Sequence, residues 1–174
     1  MIKRISKILL VLLLSICVVT GCDSDNSSST AKKNKVKSAS DVTKKKGTLI
    51  CTREGEIEGG TGEFNYEINY NGENLTSIHS VEAVESSDSE VLKEYATSFK
   101  TIDSYYDGIE YYNARINSTS NKVTHTIDID YEKIDIEALI KLEGEEDNIF
   151  ENKKPKLEKY LELGKKMGVT CKEK

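Results

Sequence analysis

Residues 63–72 restrict the fold more than any other stretch. Phe64, Tyr66, Ile68 and Tyr70 alternate with Glu63, Asn65, Glu67 and Asn69. A period of two puts the apolar set on one face of a strand and the polar set on the other. Asn71-Gly72 follows at once, the favoured pair of a type I′ turn, so the chain is predicted to double back as a hairpin. The return runs from about Asn74 to Glu85. Its apolar residues change parity, Leu75 and Val81 against Ile78 and Val84, which a bulge near Ser80 would reconcile. Strands apolar on one face only call for an antiparallel sheet with one covered side.

The flanking segments supply the rest of such a sheet and its cover. Thr48 to Glu54 reads as a strand, and the glycine-bearing stretch Glu56 to Gly62 as a turn. Ser87-Asp88-Ser89-Glu90 has the capping-box pattern. The helix after it carries an apolar stripe of Val91, Leu92, Tyr95, Phe99, Ile102 and Tyr106, and Gly108 stops it. Ile109 to Asn117 and Lys122 to Tyr131 form a second hairpin, the latter alternating strictly. Asp135 is placed to cap a short helix over Ile136 to Leu142. Gly144 to Asn152 is an acidic loop, and Pro155 suits the first turn of a last helix that Gly168 ends. That helix would turn Leu157, Tyr160, Leu161 and Leu163 or Met167 to the sheet. Val169-Thr170-Cys171 is then extended and falls against the first strand. The expected order is β-β-β-α-β-β-α-α. The fold class is α+β, an antiparallel β-sheet with helices packed on one face.

Upstream, the chain reads as an address. Lys3, Arg4 and Lys7 precede an apolar run from Ile8 to Val19. The run is too short to span a bilayer and has the length of a signal-peptide core. It ends in Val19-Thr20-Gly21-Cys22, which resembles the bacterial lipobox, whose cysteine is joined to diacylglycerol and becomes the first mature residue. The plainer alternative is a signal anchor with an incidental cysteine. The expected division is 1–21 signal peptide, 22–46 lipidated Cys22 with a disordered Lys/Ser-rich tether, and 47–174 a single α+β domain. Stable anchoring takes more than one acyl chain. The tether has almost nothing to bury and should reach some 25–30 Å, at roughly 5–6 Å times the square root of its length.

Charge and cysteines fit that division. Ten of the 25 basic residues but only three of the 30 acidic ones precede Gly47, so the rest of the chain carries a net charge of −12. An acidic body argues against nucleic acid as a partner. Of four cysteines, Cys17 lies in the discarded run and Cys22 takes lipid. Cys51 and Cys171 remain, near the two ends of the domain. In an oxidising space outside the cytoplasm they are expected to form a disulfide. Two buried thiols or a zinc pair are the alternatives.

The lipobox, the lysine-rich tether, the tyrosine-rich hairpin, the long helix and the stretch Lys122-Val-Thr-His-Thr-Ile-Asp-Ile-Asp-Tyr131 resemble the YehR-type small bacterial lipoproteins. Cys51-Thr52 and the C-terminal Gly-Val-Thr-Cys-Lys are similar to a cysteine-containing branch common in Gram-positive bacteria. The resemblance covers most of the chain from Thr48 on. It implies an α+β lipoprotein domain of unknown biochemical role and carries over no catalytic residue. Other members lack the cysteine pair, so it leaves the bridge open.

No nucleophile elbow, phosphate loop or dinucleotide fingerprint occurs, so an enzyme, a cofactor and a metal site are not expected. Three surface features are candidates for binding. Glu63 and Glu67 on one strand and Asp128 and Asp130 on another project from the polar face. They would gather if those strands were neighbours, although a solvated face is the plainer reading. Glu143, Glu145, Glu146 and Asp147 form a second acidic group, read as a loop. Tyr105, Tyr111 and Tyr112 belong to two Tyr-Tyr pairs, each sending one ring to either side, and exposed tyrosine is good binding material. His79 and His125 sit on strands, His125 with the core parity. The function expected is a non-enzymatic binding or interaction domain held outside the cell membrane by lipid on Cys22. Its partner would be an envelope protein, a wall polymer or a transported solute. A structural or stress-related envelope lipoprotein without ligand is the first alternative, and a small enzyme lacking a recognisable motif the last.

Overall fold

The computed structural model describes residues 45–143 and 149–174. The Val19–Cys22 box, the tether as far as Lys44 and most of the acidic loop lie outside them. Among the described residues eight strands and three helices follow one another: β1 Lys46–Ile57, β2 Gly60–Asn71, β3 Asn74–Glu85, α1 Ser89–Tyr105, β4 Tyr112–Ser118, β5 Lys122–Asp130, α2 Ile136–Glu143, β6 Phe150–Glu151, β7 Lys154–Pro155, α3 Leu157–Lys166 and β8 Thr170–Glu173. Six strands form one sheet in the order β4-β5-β3-β2-β1-β8, with every neighbouring pair antiparallel. The architecture is the α+β arrangement expected.

Alternation decides which side is covered. Phe64, Tyr66, Ile68 and Tyr70 are all buried, in one cluster with Ile102 and Tyr106 at the end of α1, Leu139 of α2 and Leu157 of α3. A second cluster, Val84, Leu92, Phe99 and Val123, fills the other end of α1. Burying a Leu-, Ile- or Phe-sized side chain is worth about 1.5–3 kcal/mol, so these two clusters hold the helices to the sheet. No described helix is long and apolar enough to cross a membrane.

Several expected details shift. The bulge lies not near Ser80 but at Thr76, because Asn69 pairs with Ser77 and Tyr70 with Leu75. The first turn is Glu58-Gly59 alone, and the glycines after it belong to β2. Gly60 is there for a close approach, since a Cβ would fall 2.1 Å from the Glu85 carbonyl oxygen. The second turn is Gly72-Glu73, one residue later than expected, with Asn71 opposite Asn74 and Gly72 at φ 63°. Tyr111, expected in a strand, has φ 65° and sits in the turn before β4.

Helix ends follow known chemistry. Asp88, not Ser87, caps α1, its side chain accepting from the Glu90 N–H at 2.9 Å. Asp135 Oδ1 accepts from the N–H groups of Glu137 and Ala138 and caps α2 as expected. Pro155 does not begin α3. It pairs with Phe150 in a small hairpin whose turn residues, Asn152 and Lys153, both have positive φ. The last residues of the expected acidic loop therefore form a strand and a tight turn. After α3, Val169 N–H bonds the Gly164 carbonyl and Gly168 N–H bonds that of Lys165. This is a Schellman closure around Gly168. It turns the chain into β8, whose Cys171 lies opposite Cys51, and the two sulfurs are bonded at 2.06 Å.

Candidate functional site

The main feature of the covered side is a partly open cavity of about 140 Å³ between the sheet and helices α1 and α3. Strands β2, β3 and β5 place Tyr66, Glu82 and Ile127 in its wall. Helix α1 contributes Ile102, and the α3 end of the chain contributes Leu163 and Met167. The Cys51–Cys171 disulfide lies in the wall, so the bridge ties the two ends of the domain together beside the cavity. Gly164 is also in the lining, as are Tyr106 and Tyr112, whose rings stack at 4.3 Å.

Glu82 is the acidic side chain in this largely apolar wall, which also holds Ser80 and several tyrosines. It is 5 % exposed. Its Oε1 accepts the Tyr66 hydroxyl at 3.0 Å, while Oε2 is buried with no hydrogen-bond partner among the described residues. Burial pushes its carboxyl up to about 7, and the Tyr66 hydrogen bond only partly offsets this. Burial first, and then the Glu82 charge, hold the phenols of Tyr66 and Tyr160 well above the ordinary range. The arrangement offers a largely apolar chamber with one carboxylate whose second oxygen is costly to leave unpaired.

Glu82 was missed in the sequence, although a signal existed. It shares parity with Ile78, Ser80 and Val84, all buried. Placing the bulge near Ser80 broke that run. With the extra residue at Thr76, the parity of 78–84 is continuous and an acid on the core face becomes plain.

The surface candidates fall into different places. Strands β2 and β5 are not neighbours, because β3 lies between them. The condition for the carboxylates to gather is therefore not met. Glu67 and Asp128 both stand opposite His79 in register. Asp128 meets His79 Nδ1 at 2.5 Å and Arg115 at 3.3 Å, Glu67 meets Lys174 at 3.0 Å, and Asp130 meets Lys133 at 2.8 Å. Glu63 accepts from Asn65 at 2.7 Å. Among the described residues no three His, Cys, Asp or Glu side chains are grouped to hold a metal ion. The second acidic group lies in or next to residues outside the described set.

The tyrosines separate. Tyr105 and Tyr111 are 39 % and 44 % exposed, with Lys133 over the Tyr111 ring, whereas Tyr112 turns inward to the cavity. His125 is fully buried, its Nε2 2.8 Å from Asp103 and its ring 4.5 Å from that of Phe99. Burial pulls its pKa down more than Asp103 raises it. Nδ1 of His125 has no partner among the described residues.

Comparison with known proteins adds the family. The family described as "Domain of unknown function (DUF8824)" matches residues 38–174. The NMR structure of the YehR protein of Escherichia coli superposes with a TM-score of 0.50 at 17% identity, covering 74% of this chain and 91% of that one. A Streptococcus pneumoniae TIGR4 protein, also solved by NMR, gives a TM-score of 0.46 at 14% identity over 89% of this chain and 98% of that one. Among curated proteins none matches. At such identities the YehR likeness speaks to the fold alone.

Proposed function

We propose, from the premise that this chain belongs to the DUF8824 family of domains of unknown function, that it is a binding domain tethered outside the cell membrane by lipid on Cys22. Its working site is the cavity under the sheet, and its ligand is a small, largely apolar molecule. The observation that carries the reading is a chamber of about 140 Å³ with apolar walls and one buried acid. Concave, mostly apolar sites with few polar groups are the usual form of a small-molecule site. The anchor rests on the order of basic residues, apolar run and Val19-Thr20-Gly21-Cys22. The domain is read as non-enzymatic. Its His125 is fully buried and stacked on Phe99, so the imidazole of the His125–Asp103 pair has no face to offer a substrate, although Asp103 is partly exposed.

The test has two arms. Cys22→Ala should move the protein out of the membrane fraction or leave it as uncleaved precursor, and a processed, acylated variant would refute the anchor. Toluene should shift the NMR methyl signals of Ile78, Ile127 and Leu163, which line the cavity, and unmoved signals at saturation would refute the ligand site. In that event the exposed rings of Tyr105 and Tyr111 favour a second reading, an envelope protein or wall polymer held on the outer surface.

A further inference from the structure

We infer that the cavity takes a small monoamine, a body about the size of a benzene ring bearing one protonated amino group that pairs with Glu82. The inference rests on the ligand-binding reading above and adds the class of ligand. Size comes first. The chamber measures about 140 Å³, and an apolar protein cavity of about 150 Å³ holds benzene. Polarity comes second. Glu82 lines the chamber, Tyr66 occupies Oε1, and Oε2 is buried without a partner among the described residues. An ionised carboxylate only accepts, so the ligand must donate.

Charge then separates the possible donors. A ligand hydroxyl would fill the hydrogen-bonding position and leave the carboxylate charge uncompensated. An ammonium supplies both, in surroundings where a charged pair is far stronger than in water. A carboxylate ligand would bring like charge against Glu82 and is disfavoured. The stacked rings of Tyr106 and Tyr112 line the same chamber, and aromatic faces attract cations. The chain beyond Lys46 carries a net −12, which raises the local concentration of cations before any contact is made.

The test is an NMR titration of the purified protein with benzylammonium, toluene, benzyl alcohol and benzoate. It is run at about pH 8, where Glu82 is ionised and the amine still holds its proton. Benzylammonium should bind about 10- to 100-fold more tightly than toluene or benzyl alcohol, and benzoate more weakly than either. Glu82→Gln should abolish the advantage of the amine over toluene and benzyl alcohol. Toluene binding without an amine advantage would overturn the inference while the ligand-site reading stands. Benzoate binding tighter than benzylammonium would overturn it too. If no ligand moves the signals of the lining residues, both fail. The ranking of ligands on the unaltered protein decides the matter even if the variant does not fold.

Discussion

Glu82→Gln should stabilise the protein, and increasingly so as pH rises. Glu82 has an ordinary carboxyl value of 4.5 in the unfolded chain, and burial lifts it to about 7 in the fold. A group whose folded value is raised gives its full stability below the unfolded value and loses it as pH climbs through the folded one. Between about pH 4.5 and 7 the unfolded chain releases a proton that the fold still holds. At about 1.4 kcal/mol per pH unit, the gap amounts to about 3 kcal/mol of lost stability. Glutamine has a similar shape, can still accept the Tyr66 hydroxyl, and has no charge to bury. The assay is urea unfolding of both proteins, disulfide intact, from pH 4.5 to 8, read as the difference between their profiles. Other ionisable groups near Glu82 do not imitate the effect. The phenols of Tyr66 and Tyr160 stay neutral throughout this range. His125, opposite Glu82 on β5, has a lowered value and the opposite sign, its stability being lost as pH falls; it is present in both proteins. A difference that changes by less than about 1 kcal/mol across the range would refute the buried-carboxylate reasoning.

Removing the disulfide by Cys51→Ser with Cys171→Ser should cost about 2–5 kcal/mol by denaturant unfolding, since the bond spans 120 residues of chain. Leu139 of α2 is fully buried, so Leu139→Ala should lower stability by about 2–5 kcal/mol in the same assay. Gly60→Ala should destabilise the β1–β2 end of the sheet, because its Cβ would meet the Glu85 carbonyl at 2.1 Å; amide exchange at Ile57 and Thr61 should quicken. Tyr105→Ala and Tyr111→Ala should each shift stability by no more than about 0.5 kcal/mol, since both rings are exposed.

The fold was legible where one physical rule acted alone. Strict alternation over Phe64–Tyr70 and over Val123–Tyr131 gave the strands, their buried faces and the side to be covered. The Leu92, Phe99, Ile102 stripe gave α1, and Gly168 with an extended tail led Cys171 back to Cys51. Details failed where two rules competed. Glycine in Gly60 and Gly62 signals a turn, but both belong to β2, and at Gly60 the reason is steric room. Proline at 155 suits a helix start, yet it pairs with Phe150, because Asn152 and Lys153 adopt the positive φ that a tight hairpin needs.

The site was less legible than the fold for the same reason. Alternation alone puts Tyr66 on the core face, whereas the face of its partner Glu82 depends on the position of a single bulged residue. One step in register turns a core acid into a surface acid. The carboxylates Glu67 and Asp128 are strand neighbours of His79 rather than of each other. Strand order follows from packing among distant segments, which no local pattern encodes.

The most direct measurement for the cavity is a crystal of the protein pressurised with xenon, which enters apolar cavities of this size. The account predicts a xenon atom between Ile127, Leu163 and Met167, beside Glu82 and the disulfide. Side chains closed together across that space, with no xenon among them, would contradict it.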